Sequence, residues 1–368
     1  MGWHPDMEKI RATSPLFQGF RQFALHSFLQ GKTFSDAVAV DEFLNDLRAD
    51  INKALSKENM LFGLRTEVMF EYLVAGLGKV ALLKQEDGAE CYARDGSALE
   101  IPDFRIVLED SRQILVEVKN LHHSNPTKAL TLKADYLDGL CKYATLTKSE
   151  LFIAIYWSRW RLWTLNKPDA FTRQGGAAEL PFLESHKSSH MALLGDCAIG
   201  TRWPLRFVMF LEELNSTKVS DSERTISVKI EAVKMFCEED EITDPTEKTI
   251  AWFLMLYGNW KETEHTHSDE EGRLYAVEYR FEPEEVPVGQ NVHIAGNLST
   301  MFVRSFLSAT SDRDSKSVRQ FHMKSKPGAL GRLIPEGYKG KALPLWILYL
   351  VAENVDDVGK EVENDGNH

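Results

Sequence analysis

Seven consecutive apolar residues, Leu151 to Trp157 (LFIAIYW), constrain this chain more than any other stretch. A strand with one face in water alternates apolar and polar side chains; a strand without that alternation has to be covered on both faces. Sheets covered on both faces by helices belong to α/β architectures. Helices of the required kind flank the run. Residues 61 to 77 (LFGLRTEVMFEYLVAGL) repeat apolar side chains at three and four, and Gly78 follows where a left-handed cap favours glycine. Beyond it the period shortens: residues 79–84, 99–108 and 113–119 read as strands, separated by QEDGAECYARDGS and EDSR as turns. Residues 130–146 return to helical spacing, and 161–165 (RLWTL) reads as a partner for the apolar strand.

A chain of 368 residues exceeds what one compact core usually organises. Helical periodicity at 16–30 and 40–55 predicts a helical N-terminal segment over 1–58, followed by the α/β core over 59–166. Residues 167–190, with Pro168, Gly175, Gly176 and Pro181, read as a linker or surface excursion. An α+β C-terminal domain is expected over 191–352, from the strands PLRFVMFL, TISVKIEAV, LYAVEYRF and LPLWILYLV and a helix near Thr246 to Tyr257. The acidic residues 353–368 read as a flexible tail.

Composition narrows the class. No apolar run approaches a membrane span, and the start (MGWHPDMEKIR) lacks the apolar core of a secretion signal. Cys91, Cys141, Cys197 and Cys237 are scattered without a CxxC pair, as expected of thiols in a reducing, cytoplasmic setting. The net charge of −12 argues against a non-specific nucleic-acid coat. It leaves room for a local basic surface. Residues 304–341 carry nine Lys or Arg against three acids, so Arg313, Lys316, Arg319, Lys324 and Lys326 are expected to meet a polyanion; Arg159 to Arg173 is a second such cluster.

The stretch IPDFRIVLEDSRQILVEVKN, residues 101–120, carries the chemistry. Glu117 and Lys119 are two apart on a strand and share a face. With Glu109, Asp110 and Ser111 as a three-residue hairpin loop, Leu108 pairs with Arg112 and Asp103 with Glu117, so both carboxylates share that face. Two adjacent carboxylates repel, and a bound cation removes the conflict. Oxygen ligands of this kind select Mg²⁺ or Mn²⁺ over zinc. A lysine beside such an ion can orient a water and stabilise charge on a phosphate. Of three Pro-Asp pairs, at Asp6, Asp103 and Asp169, only Asp103 is followed within 10 to 20 residues by an acid-x-Lys.

With Pro102-Asp103, Glu117-Val118-Lys119 and the surrounding order of helix, hairpin, helix and strand, residues 61–165 resemble the PD-(D/E)XK nuclease superfamily. The resemblance implies a restriction-endonuclease-like mixed sheet flanked by helices and a metal-dependent endonuclease. Asp103, Glu117 and the Val118 carbonyl would hold Mg²⁺ or Mn²⁺, and Lys119 would serve the attacking water. Glu67, 11 residues before Gly78, would hold a metal-bound water or second ion, with Glu71 as the fallback. Lys133 and Tyr136 are candidates for a further polar contact to the phosphate. The expected partners are a nucleic acid, DNA ahead of RNA, and a second copy of the chain; restriction, repair and anti-phage defence are roles such nucleases serve. Two other classes stay open: an inactive nuclease-fold binding or assembly module, and a nucleotide-sensing protein.

Other features favour structural roles. His265, His267 and Asp269 lie in an acidic stretch that reads as a solvated loop. His122 and His123 read as turn histidines. Tyr156, Trp157, Trp160 and Trp163 read as core, with base stacking as the alternative. The GALGR stretch at Gly328 is too short for a phosphate loop.

Overall fold

A computed structural model describes residues 15–34, 36, 38–86, 92–93, 98–123, 125, 127–212, 228–285, 289–312 and 317–352. Helices α1 (Pro15–Leu29) and α2 (Ala39–Leu55) precede α3 (Glu58–Leu77). The last ends on Gly78 at φ +69°, in the left-handed region its sequence predicts. Strands β1 (Val80–Gln85), β2 (Phe104–Leu108) and β3 (Gln113–Leu121) follow as an antiparallel meander. Next come β4 (Leu130–Lys133), α4 (Ala134–Thr147), β5 (Glu150–Trp157), parallel to β3, and β6 (Leu162–Asn166), antiparallel to β5. The five-stranded order is β1-β2-β3-β5-β6. This is a mixed sheet with a helix on each face, an α/β arrangement.

The hairpin register is the one the EDSR turn dictates, with Phe104 opposite Val116 and Arg105 opposite Leu115. Alternation then sorts the faces. Val116, Val118, Phe152, Ala154 and Tyr156 pack with Phe70, Leu73 and Val74 of α3. Leu115, Ile153, Ile155 and Trp157 pack with Leu137, Leu140 and Ala144 of α4. All of Leu151 to Trp157 is buried, as a doubly covered strand requires, and so are Ile106 and Ile114.

Several sequence expectations need correction. Residues 99–103 are not strand; β2 begins at Phe104. The helix expected from 130 begins at Ala134, because Leu130–Lys133 pairs with a strand further on. That strand lies in the stretch read as a linker. It holds β7 (Thr172–Gln174), β8 (Ala177–Leu180) and α5 (Phe182–Lys187), giving a three-stranded sheet of order β4-β8-β7. Gly175 and Gly176, at φ +59° and +82°, are the two-residue turn of the β7–β8 hairpin. Phe171, Ala178 and Leu180 are buried on the α4 side.

The remainder is α+β: β9 (Ala198–Arg202), β10 (Leu205–Leu211), β11 (Ile230–Cys237), β12 (Asp240–Glu241), α6 (Pro245–Tyr257), β13 (Lys261–Ser268), β14 (Leu274–Glu282), β15 (Val292–Asn297), α7 (Leu298–Thr310) and β16 (Leu345–Leu348). Two antiparallel sheets, β12-β11-β10-β14-β13 and β15-β9-β16, contribute with α6 and α7 to one apolar cluster. The acidic stretch read as a loop is strand β13, paired along β14. Helix α7 is largely buried, although its Arg304 opens the stretch whose composition reads as a basic surface. No described helix is long and apolar enough to cross a membrane.

One apolar cluster spans α3, the main sheet, α6, α7 and Leu343. The GALGR stretch ties these parts together. Gly328 N donates to the Ala75 carbonyl at 2.7 Å, and Leu330 N and Gly331 N donate to the Gly76 carbonyl at 2.9 and 3.2 Å. These bonds satisfy carbonyls that the end of α3 leaves without intrahelical partners. The approach is close: a Cβ on Gly331 would stand 2.2 Å from the Leu77 carbonyl oxygen. Gly331→Ala is therefore expected to lower the unfolding free energy by about 2 kcal/mol or more, read as a reduced urea midpoint. A wild-type midpoint would show that this clamp carries no stability.

Candidate active site

β3 outruns its antiparallel neighbour. Leu108 N donates to the Arg112 carbonyl at 2.9 Å, which fixes the parity of the ladder. Hydrogen-bonded pairs therefore fall at 108/112, 106/114 and 104/116, and the next would be Pro102 with Val118. Proline has no N–H to give. The Val118 carbonyl thus receives no donor from β2, and the Val118 N–H donates to Asp103 Oδ2 at 2.6 Å instead. The ladder ends in a carboxylate. Continued one residue past the strand, the same register would set Asp103 opposite Glu117, and the two carboxylates are close enough to act on each other.

Glu117 is almost fully buried, its side chain 4% exposed. Its Oε1 accepts from Lys119 Nζ at 2.5 Å and from the Tyr136 hydroxyl at 2.5 Å. Lys119 Nζ also donates to the Tyr136 hydroxyl at 3.2 Å and lies 4.7 Å from its ring centroid. Tyr136 comes from the first turn of α4, on the face of the sheet that Glu117 and Lys119 share. Glu117 Oε2, by contrast, is buried without a hydrogen-bond partner. An orphaned carboxylate oxygen costs several times what a paired one does, unless a cation meets it.

Burial and the facing Glu117 carboxylate push Asp103 up to about 8; the Val118 N–H and Lys119 oppose them, and Glu67 on α3 adds to the rise. Burial and Glu117 likewise raise Tyr136, keeping its hydroxyl protonated and donating. Two carboxylates in one desolvated site, each with one oxygen bound by the protein, form a donor set suited to a hard divalent cation. Glu67 is near enough to act on Asp103. Yet no three His, Cys, Asp or Glu side chains converge as a cluster among the described residues.

The structure thus brings together Asp103, Glu117, Lys119 and Tyr136, with Glu67 at the margin. Lys133 is exposed at the N-cap of α4, and no bond joins it to the centre. Arg313 and Lys316 lie outside the described residues. Arg319 donates to the Ala309 carbonyl and Arg304 to the carbonyls of Tyr257 and Gly258, so both serve the fold; Lys324 and Lys326 are exposed. His267 bonds Glu278 at 2.8 Å, and Asp269 bonds Arg273. Tyr156, Trp157 and Trp163 are core, whereas Trp160 is 47% exposed. Asn125, which lines the same crevice as Trp160, sits in an irregular segment with no periodic signal to mark it.

No protein-family model and no curated protein matches this chain. Among solved structures it is similar to Hjc, a Holliday junction resolvase from the archaeal hyperthermophile Archaeoglobus fulgidus. That likeness covers 36% of this chain and 95% of the resolvase, at 19% identity and a TM-score of 0.27. At that score it bears no weight, and the chemistry rests on the side-chain geometry.

The raised Asp103 makes a testable link to stability. Between its ordinary value of 3.8 and about 8, the folded protein holds a proton that the unfolded chain releases. Stability conferred by that proton is complete at low pH and lost as pH rises, by up to about 1.4 kcal/mol per pH unit through that window. Urea unfolding in EDTA from about pH 5 to about pH 8 should show this decline, and Asp103→Asn should flatten it. Identical pH profiles for the two proteins would place Asp103 in the ordinary carboxylate range.

Proposed function

We propose that this chain is a metal-dependent nuclease that hydrolyses phosphodiester bonds, DNA ahead of RNA, on a restriction-endonuclease-like core. The observation that carries the reading is Glu117: a buried carboxylate with one oxygen bound by Lys119 and Tyr136 and the other uncommitted, facing Asp103. Asp103, Glu117 and the Val118 carbonyl would hold Mg²⁺ or Mn²⁺, with Glu67 as a further acid. When bound, such an ion supplies Lewis-acid stabilisation of the phosphoryl oxygens and a water more easily deprotonated than in bulk.

The chain's own groups supply positioning. An ammonium has three protons. Two of those on Lys119 go to Glu117 Oε1 and the Tyr136 hydroxyl, which leaves the third for a phosphate oxygen or the attacking water. Tyr136 donates to Glu117 while accepting from Lys119, so it fixes the distance between acid and base. The Tyr136 ring lies beneath Nζ in cation–π contact, which helps to hold the ammonium in place. Asp103, held by the Val118 N–H, keeps its carboxylate at the strand edge where a phosphate can approach.

Incubation with plasmid, linear duplex, single strands and RNA, in Mg²⁺, Mn²⁺ or EDTA, tests the activity. Asp103→Ala, Glu117→Ala and Lys119→Ala should each lower cleavage by about 10²- to 10⁴-fold while the proteins stay folded. Tyr136→Phe, which removes a positioning hydroxyl, should cost roughly 10- to 100-fold. Undiminished cleavage by Lys119→Ala, in a preparation free of contaminating nuclease, would remove that residue from the mechanism.

A further inference from the structure

β3 runs two residues past Lys119 to Leu121, and alternation sets Glu117, Lys119 and Leu121 on one face. Leu121 therefore lies roughly 7 Å beyond the lysine along the strand. There a crevice opens, lined by Leu121, His123, Asn125, Trp157, Arg159 and Trp160. Its aromatic wall is held in place. Ser158 N and Oγ both donate to the Leu121 carbonyl, at 3.2 and 3.1 Å, and Trp160 N donates to the Trp157 carbonyl at 3.0 Å. The Trp160 ring lies 5.6 Å from that of Phe182, tilted by 30°, and Phe182 in turn meets Trp157 edge-on. Trp160 nevertheless keeps about half its surface, 47%, in solvent.

The polar rim consists of donors. His123 Nδ1 accepts from Asn125 N at 3.0 Å, which leaves Nε2 as the ring's donor. Asn125 Oδ1 accepts from both Thr127 N and Thr127 Oγ1, leaving its amide NH₂ to donate outward. Arg159 is exposed beside them. A rigid, half-exposed indole ringed by donors and a guanidinium suits a flat, acceptor-bearing ring joined to an anion.

We propose that the outer rim of this shallow crevice, and not its interior, binds an unpaired nucleobase next to the scissile phosphate: Trp160 stacks the base on its exposed surface, His123 and Asn125 meet acceptors on it, and Arg159 meets the adjoining phosphate. The proposal rests on the nuclease reading and adds the substrate class to it. Bases within an intact duplex are stacked on one another and cannot reach an indole; the substrate is single-stranded, or splayed where it is cut.

The test separates stacking from cleavage. Binding of a short labelled oligothymidylate is followed by fluorescence anisotropy in EDTA, beside the same strand carrying abasic sites and a blunt duplex of equal length. The intact single strand should bind wild-type protein more tightly than the other two. Trp160→Ala should weaken it by roughly 5- to 150-fold, the usual range for losing one base–aromatic stack. Trp160→Phe should retain most of the affinity, and the abasic strand should bind Trp160→Ala and wild type alike. Equal wild-type affinity for intact and abasic strands would overturn the subsite without relying on any variant to fold. So would a Trp160→Ala loss that is the same on both strands. Cleavage in Mg²⁺ is read separately: a protein that cuts yet fails these comparisons keeps the nuclease reading and loses the subsite, and one that passes them but cuts nothing does the reverse.

Discussion

The candidate centre depends on one backbone donor. The Val118 N–H lies beyond the last β2 pair, Phe104 with Val116, and it takes the Asp103 carboxylate. That single bond draws an acid into the sheet edge opposite Glu117. The pair is then desolvated together, Asp103 rises, and Glu117 recruits Lys119 and Tyr136 to one of its oxygens. Without the strand-edge bond Asp103 would lose the backbone donor that anchors it, while Glu117 would keep Lys119 and Tyr136.

The readable parts of this protein were those set by local physics. LFIAIYW had to be covered on both faces. The three-residue loop Glu109 to Ser111 left one register for the hairpin, which the structure shows from Phe104 opposite Val116 onward. Gly78 marked the end of α3. What escaped was decided at a distance. Leu130 to Lys133 has helical spacing, yet it pairs with residues some fifty positions away, across a Gly-Gly turn that looks like a linker by composition. The polar alternation of β13 resembles a solvated loop until β14 lies beside it. Tyr136 was one of two polar candidates on its helix, and only the packing of α4 on the sheet separates it from Lys133.

Charge counting is blind to a related distinction. The basic stretch after Arg304 reads as a surface for polyanions, but a cation that caps backbone carbonyls is indistinguishable in composition from one in solvent. Arg304, Arg319 and Arg332 each donate to main-chain oxygens. Near the centre itself the positive charge is sparse and placed: Lys119 at the carboxylates and Arg159 beyond the strand end. An acidic chain can accept a polyanion in this way, by a few fixed cations and, where present, a divalent ion, with little long-range attraction.

The apolar core is shared between the α/β part and the elements after it. Phe70 and Leu73 of the helix bearing Glu67 lie in the same cluster as Met301 and Phe306 of α7, and Arg65, on that same helix, is bonded to Thr310 and Ser311. The α/β part cut out at Asn166 would expose the apolar face that these residues cover. Loss of function in a genetic screen would then arise from α7 and the 328–331 turn as readily as from the acids at the strand edge. The amount of protein accumulating in the cell, and not distance along the sequence from Asp103, would tell the two kinds of lesion apart.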